Sequence, residues 1–282
     1  MRDSYDSLLT EKRNPRTVDI DRMSTADAVR LFNSENRAVD EAMDAAAESI
    51  AAAVDLICER MTRGGSLIYV GAGTSGRLGV IDAAECPPTF GVSPELVRGI
   101  IAGGKGAMFR SVEGAEDSFE GGREAVDGDG ITAADAVVGI SASGRAPFVL
   151  GALERARELG AAVIGVNCNP GSPMESPGVC DVCVTAYTGP EVIAGSTRLK
   201  AGTATKLILN IFSTCAMIRT GRVMSNLMVN VVPSNEKLIE RAVRLICALS
   251  GAEDAEARAA LAETGSVRAA VELLKPENGA NS

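Results

Sequence analysis

The stretch that most constrains this chain is Ser66-Leu67-Ile68-Tyr69-Val70 running directly into Gly71-Ala72-Gly73-Thr74-Ser75-Gly76-Arg77. A short apolar run bounded by glycine reads as a buried strand, and the turn after it opens a helix. Glycines let the backbone turn tightly, and the free N–H groups at the start of the helix point at whatever anion lies there. Gly73, Thr74, Ser75 and Gly76 are therefore candidate phosphate-binding residues, with two hydroxyl donors added to the backbone ones.

The same residues spell G-x-G-x-x-G, the dinucleotide fingerprint, which is weak by itself. A dinucleotide site needs an acidic residue at the end of the second strand to hold a ribose. The second strand, at 96–102, runs instead into Gly103-Gly104-Lys105. A second hydroxyl-bearing loop, Ser141-Ala142-Ser143-Gly144-Arg145, follows another apolar run, and two such loops suit a phosphosugar better. Ser141, Ser143 and Gly144 join the candidates.

Apolar runs at 66–70, 96–102, 136–141, 161–167 and 180–186 alternate with helical stretches at 75–84, 105–125 and 145–159. That alternation predicts an α/β fold, a parallel five-stranded sheet flanked by helices, with ligands at the carboxyl ends of the strands. Ahead of it, residues 1–24 read as a polar arm. From Ser24 the spacing of Val39, Met43, Ala46, Ile50, Val54, Ile57 and Met61 predicts one long amphipathic helix ending near Gly64-Gly65. After the sheet, Ser196 to Lys200 lead into an apolar helix reaching about Arg219. Ser196 and Lys200, near its donor-rich start, are further phosphate candidates, as are Arg77, Arg145 and Arg198. Domain boundaries are expected at 1–60 for the arm and long helix, 61–225 for the phosphosugar-binding domain, and 226–282 for a small helical subdomain with a frayed tail after Pro276.

Composition closes several routes. The chain of 282 residues contains no histidine, so histidine triads and histidine metal sites are excluded, and proton transfer falls to carboxylates, lysine, tyrosine or cysteine. A net charge of -9 argues against nucleic acid and anionic membrane as partners. The apolar stretch 207–218 reads as too short and too polar for a span. Seven irregularly spaced cysteines fit a reducing, cytoplasmic setting. Cys180 and Cys183 match C-x-x-C, but on a strand residues three apart face opposite ways, which argues against a shared metal or redox role. Cys86 reads as packing.

Two acidic positions stand out. Glu85 lies in Asp82-Ala83-Ala84-Glu85-Cys86-Pro87-Pro88-Thr89, where Pro-Pro halts the helix. There the negative end of the helix dipole favours the protonated acid. Glu113, Glu116, Asp117 and Glu120 form a cluster from which local sequence selects no single member; the plainest reading is a charged helix face.

The chain resembles the N-acetylmuramic acid 6-phosphate etherases of the sugar isomerase (SIS) domain superfamily. The matching residues are Thr10-Glu11-x-x-Asn14-Pro15, Gly71 to Gly79 with Asp82 to Thr89, Glu113 to Asp117, Ser141 to Arg145, and Gly195 to Thr203. The resemblance implies a flavodoxin-like SIS fold, no metal or organic cofactor, a phosphorylated amino sugar as ligand, and a homodimer. It also implies cleavage of a D-lactyl ether during cell-wall sugar recycling. Glu85 matches the family's proton donor and Glu116 its second catalytic glutamate. Two rival readings share the loops: a phosphosugar sensor like the glucokinase regulatory protein, and an aldose-ketose isomerase.

Overall fold

The computed structural model describes residues 9–275. The arm's first eight residues and the expected frayed tail lie outside that range. Two compact units emerge, one of 1–84 with 95–216 and one of 85–94 with 217–282.

In the first unit the arm makes 3-10 turns at Leu9–Glu11, Pro15–Thr17 and Ile20–Arg22. The single long helix expected next is three: α1 (Thr25–Glu35), α2 (Arg37–Ala45) and α3 (Ala47–Thr62). Asn36 and Ala46 punctuate it while keeping right-handed helical backbone angles, so the apolar spacing runs on through the breaks. Ser24 accepts from the Asp27 amide as the N-cap.

The five strands fall where the apolar runs put them: β1 (Leu67–Gly71), β2 (Val97–Ile101), β3 (Ala136–Ile140), β4 (Ala162–Asn167) and β5 (Val182–Thr185). They form one parallel sheet in the order β2-β1-β3-β4-β5. β1, β3 and β4 are buried throughout, as strands covered on both faces must be. One face, carrying Ile68, Val70, Val137 and Val163, packs on Phe148, Val149, Ala152 and Leu153. Those residues belong to α6 (Pro147–Glu158), beside α5 (Phe119–Asp129). On the other face Tyr69 lies against Gly79 of α4 (Gly73–Phe90) and bonds Asp82 at 2.9 Å. Its hydroxyl also reaches the Leu209 carbonyl of α7 (Lys200–Arg219). By length and composition α7 would suffice to cross a membrane, which corrects the shorter estimate; half of that window is buried in the fold.

The helix expected over 105–125 is not continuous. A 3-10 turn at Lys105–Met108, an irregular stretch and a second 3-10 turn at Ala115–Asp117 precede α5. Gly114 has a left-handed backbone (φ 72°) and Ser118 caps α5 by accepting from Gly121 N, so Glu113, Glu116 and Asp117 lie on a connection and only Glu120 of the acidic cluster is on a helix.

In the second unit a hairpin of β6 (Val223–Met224) and β7 (Leu227–Met228) precedes α8 (Glu236–Ser250), α9 (Asp254–Thr264) and α10 (Val267–Leu274). Ala242, Val243, Ile246, Leu261, Val267 and Val271 make their common core. Asn235 and Ser266 cap α8 and α10, and Gly251 and Gly265 end α8 and α9 in left-handed conformation.

Candidate active site

The strand order reverses between β1 and β3, and ligands of such sheets bind at that switch point. The loops after those two strands meet there in a cavity of about 290 Å³. From the β1 side it is lined by Ala72, Gly73, Thr74 and Ser75. The first helical bond of α4 is made by Gly76 N to the Ala72 carbonyl at 3.2 Å, so the amides of Gly73, Thr74 and Ser75 have no partner inside the helix. A Cβ on Gly76 would lie 2.5 Å from the Gly71 carbonyl oxygen, so only glycine lets the turn close this tightly. Gly76 thus shapes the cradle without lining it.

From the β3 side come Ser141, Ala142, Ser143, Arg145 and Ala146. The two serine hydroxyls lie 3.3 Å apart, and the Arg145 and Ala146 amides approach them at 3.3 and 3.4 Å. Gly144 turns away from the cavity against Ser172. Arg77 does not line the cavity; its Nε donates to the Met108 carbonyl at 3.1 Å. Arg145 is the arginine that does line it.

Glu116 and Asp117 reach the cavity on the 3-10 turn ahead of α5. Glu85 does not line it. It is an exposed residue twelve positions beyond Gly73 in α4, and the helix continues through Pro87 and Pro88 to Phe90 rather than stopping at Glu85. Cys86 is buried.

The start of α7 departs from expectation. Thr197, Gly202 and Thr205 line the cavity, whereas Ser196 and Lys200 do not. Lys200 is fully buried, with its ammonium 3.1 Å from Glu35. The α7 N-terminus is already occupied by an internal anion: the Glu191 carboxylate, also fully buried, accepts from Lys200 N at 3.0 Å and Ala201 N at 2.9 Å. A donor-rich helix start was legible in the sequence; a glutamate nine residues upstream that satisfies it was not.

Residues of the N-terminal arm complete the wall. Thr10 and Glu11 line the cavity. The arm is pinned by Asn169, whose Oδ1 accepts from Leu9 N and Thr10 N at 3.0 and 3.3 Å. The Asn169 amide donates to Thr10 Oγ1 and to the Ala142 carbonyl of the serine loop. Further along, Glu35 accepts from Asn14 at 2.6 Å, from the Arg16 guanidinium through two nitrogens, and from Lys200. The guanidinium, aided by Asn14 and Lys200, outweighs burial and holds the Glu35 carboxyl down at about 2.

The C-x-x-C thiols meet after all. β5 begins only at Val182, so Cys180 precedes the strand; both cysteines are free thiols, and a hydrogen bond between them lowers the Cys183 thiol and raises that of Cys180.

The 2-1-3-4-5 sheet with a cavity at its switch point is a flavodoxin-like architecture, here of the SIS type. Residues 49–157 match the family model of the glucokinase regulatory protein N-terminal SIS domain. A phosphoheptose isomerase from Francisella tularensis shares the fold with a TM-score of 0.53 and 19% identity, over 70% of this chain and 100% of that one. A phosphoheptose isomerase from Neisseria gonorrhoeae does so with a TM-score of 0.52 and 20% identity, over 68% of this chain and 98% of that one.

Sequence similarity narrows the class. The chain belongs to the N-acetylmuramic acid 6-phosphate etherase family. It is 54% identical to the member from Caldanaerobacter subterraneus subsp. tengcongensis, over 89% of this chain and 81% of that one. It is 51% identical to the Serratia proteamaculans (strain 568) member, over 92% and 86%, and 49% identical to that of Escherichia coli O81, over 96% and 91%.

Proposed function

We propose that this protein cleaves the D-lactyl ether of N-acetylmuramic acid 6-phosphate, giving N-acetylglucosamine 6-phosphate and D-lactate. The observation that carries this reading is the cavity of an etherase-family chain, in which a carboxylate, Glu116, faces two hydroxyl-bearing loops built for an anion. The amides and hydroxyls of Thr74 and Ser75, with Ser141 and Ser143, hold the 6-phosphate. Gly73 lets its backbone approach it, while Gly76 and Gly144 let the two loops close tightly behind it. Lys200 and Ser196 serve from behind by fixing the start of α7, so that Thr197 just ahead of it and Thr205 within it face the ligand.

With the sugar ring open, the C1 aldehyde acidifies the C2 proton, and the lactyl ether at C3 is β to that carbonyl. Glu116 takes the C2 proton. The C2 electron pair forms the C2=C3 bond as the C3–O bond breaks, and Glu85 gives its proton to the departing lactyl oxygen. Water then adds at C3 while C2 is reprotonated, so the net change is hydrolysis. The route asks one carboxylate to accept a proton and the other to donate one. Glu116 draws its role from the cavity, Glu85 from the shared Asp82 to Thr89 stretch. Phosphate binding remote from C2 and C3 supplies positioning.

The protein is further proposed to work as a cytoplasmic homodimer. The long uncharged stretch of α7 supports the pairing, and seven free cysteines support the reducing compartment. Turnover in H₂¹⁸O with deuterium tests the route. Elimination and re-addition places ¹⁸O at the C3 hydroxyl and deuterium at C2, leaving lactate unlabelled; label in the lactate hydroxyl would refute it.

A further inference from the structure

Elimination requires an open-chain aldehyde, whereas a 6-phosphorylated amino sugar closes readily through its C5 hydroxyl into a pyranose. Opening moves one proton from the anomeric hydroxyl O1 to the ring oxygen O5. Many enzymes use histidine for such transfers, and this chain has none. Glu116 and Glu85, in the reading above, are already committed to C2 and to the leaving oxygen.

A second glutamate lines the cavity beside Glu116. Glu11 stands on the 3-10 turn Leu9–Glu11, and its carboxylate lies directly over Gly195: a Cβ there would be 2.7 Å from Oε2 and 3.6 Å from Oε1. Gly195 has a left-handed backbone (φ 75°), and its amide bonds the Thr10 carbonyl at 3.2 Å. The neighbouring Thr10 is buried and tied to Asn169, so the backbone that carries Glu11 is fixed. No described residue donates a hydrogen bond or an ion pair to the Glu11 carboxylate itself. On a backbone fixed by Thr10, and without a partner among the described residues, this carboxylate is left for the ligand.

Charge decides which part of the ligand it meets. A carboxylate repels both the phosphate and the lactyl carboxylate and so faces a neutral part of the sugar, of which the C1 end is the part where a proton must move for the ring to open. O1 and O5 are both bonded to C1, and the two oxygens of one carboxylate match that spacing.

We infer that Glu11 opens the sugar ring: one carboxylate oxygen takes the O1 proton as C1=O1 forms and the C1–O5 bond breaks, and the carboxyl so formed returns a proton to O5. Glu11 ends ionised, as it began, and no other reactant is consumed. The inference rests on the etherase reading and adds a separate step to it.

The test compares wild type with Glu11→Gln on two substrates. One is N-acetylmuramic acid 6-phosphate; the other is its 4,5-dideoxy analogue, which has no hydroxyl able to close a five- or six-membered ring on C1. On the natural sugar the variant should lose roughly 100-fold in kcat, the ordinary scale of one acid-base group. Its isotope effect with C2-deuterated substrate should fall towards one, because ring opening has become limiting. On the acyclic analogue it should match wild type. Equal losses on both substrates, a full C2 isotope effect in a slowed variant, or no loss on the natural sugar would each overturn the role of Glu11. Failure of wild type to release D-lactate from either substrate would instead defeat the etherase reading.

Discussion

Replacing Glu35 with glutamine should loosen the arm that carries Glu11 while leaving every cavity-lining residue in the sequence. Glu35 is 2% exposed and is the anion that Asn14, Arg16 and Lys200 share. Neutralising it leaves the Lys200 ammonium, which is 0% exposed, without its counter-charge. Breaking one side of a buried pair costs roughly 3–5 kcal/mol. Lys200→Met together with Glu35→Gln removes both charges, so the double variant should be more stable than the sum of the singles by roughly 1–3 kcal/mol. Urea unfolding measures both quantities. Trypsin cleavage after the exposed Lys12 and Arg13 reports whether the arm has come away, and the single Glu35 variant should be cut faster. A Glu35→Gln penalty below about 1 kcal/mol, or strictly additive variants, would refute the view that this cluster anchors the arm.

The remaining predictions are more local. The Glu35 carboxyl is held at about 2 against an ordinary 4.5, so its stabilisation is complete above about pH 4.5 and is lost as the pH falls towards 2. The full linkage value, about 3 kcal/mol, should shrink to about 2 because Arg16 is largely solvent-exposed; acid titration of unfolding should lose that difference in the Glu35→Gln variant. Glu116→Gln should lower D-lactate release by roughly 100-fold or more, with unchanged thermal stability because the Glu116 side chain is exposed and bonds no other described residue. Gly195→Ala places a methyl against the Glu11 carboxylate and strains a positive φ, so both stability, by about 1–2 kcal/mol, and turnover should fall. Ser141→Ala with Ser143→Ala should raise KM for the phosphorylated sugar more than it lowers kcat.

The sheet was legible because its strands are short apolar runs ended by glycine, a hydroxyl residue or, in β4, asparagine, and both loops at the switch point announced themselves. Local signals failed where distant residues decide. The 105–125 stretch reads as one helix, yet left-handed Gly114 and the cap at Ser118 divide it, and α5 starts only at Phe119. Lys200 looked like a phosphate ligand until Glu35, 165 positions away, claimed its ammonium. Glu11 carries no local mark of function; only the folding of the arm across Asn169 and Gly195 brings it to the cavity. The motif Thr10-Glu11-x-x-Asn14 was the available signal, and Asn14 and Thr10 are its anchoring residues.

The most direct measurement is D-lactate release from N-acetylmuramic acid 6-phosphate by purified wild-type protein, beside Glu116→Gln and Glu85→Gln. Stoichiometric D-lactate and N-acetylglucosamine 6-phosphate from wild type, with sharp loss in both variants, is the expected result. A folded wild type that binds the phosphosugar and releases no D-lactate would contradict the account.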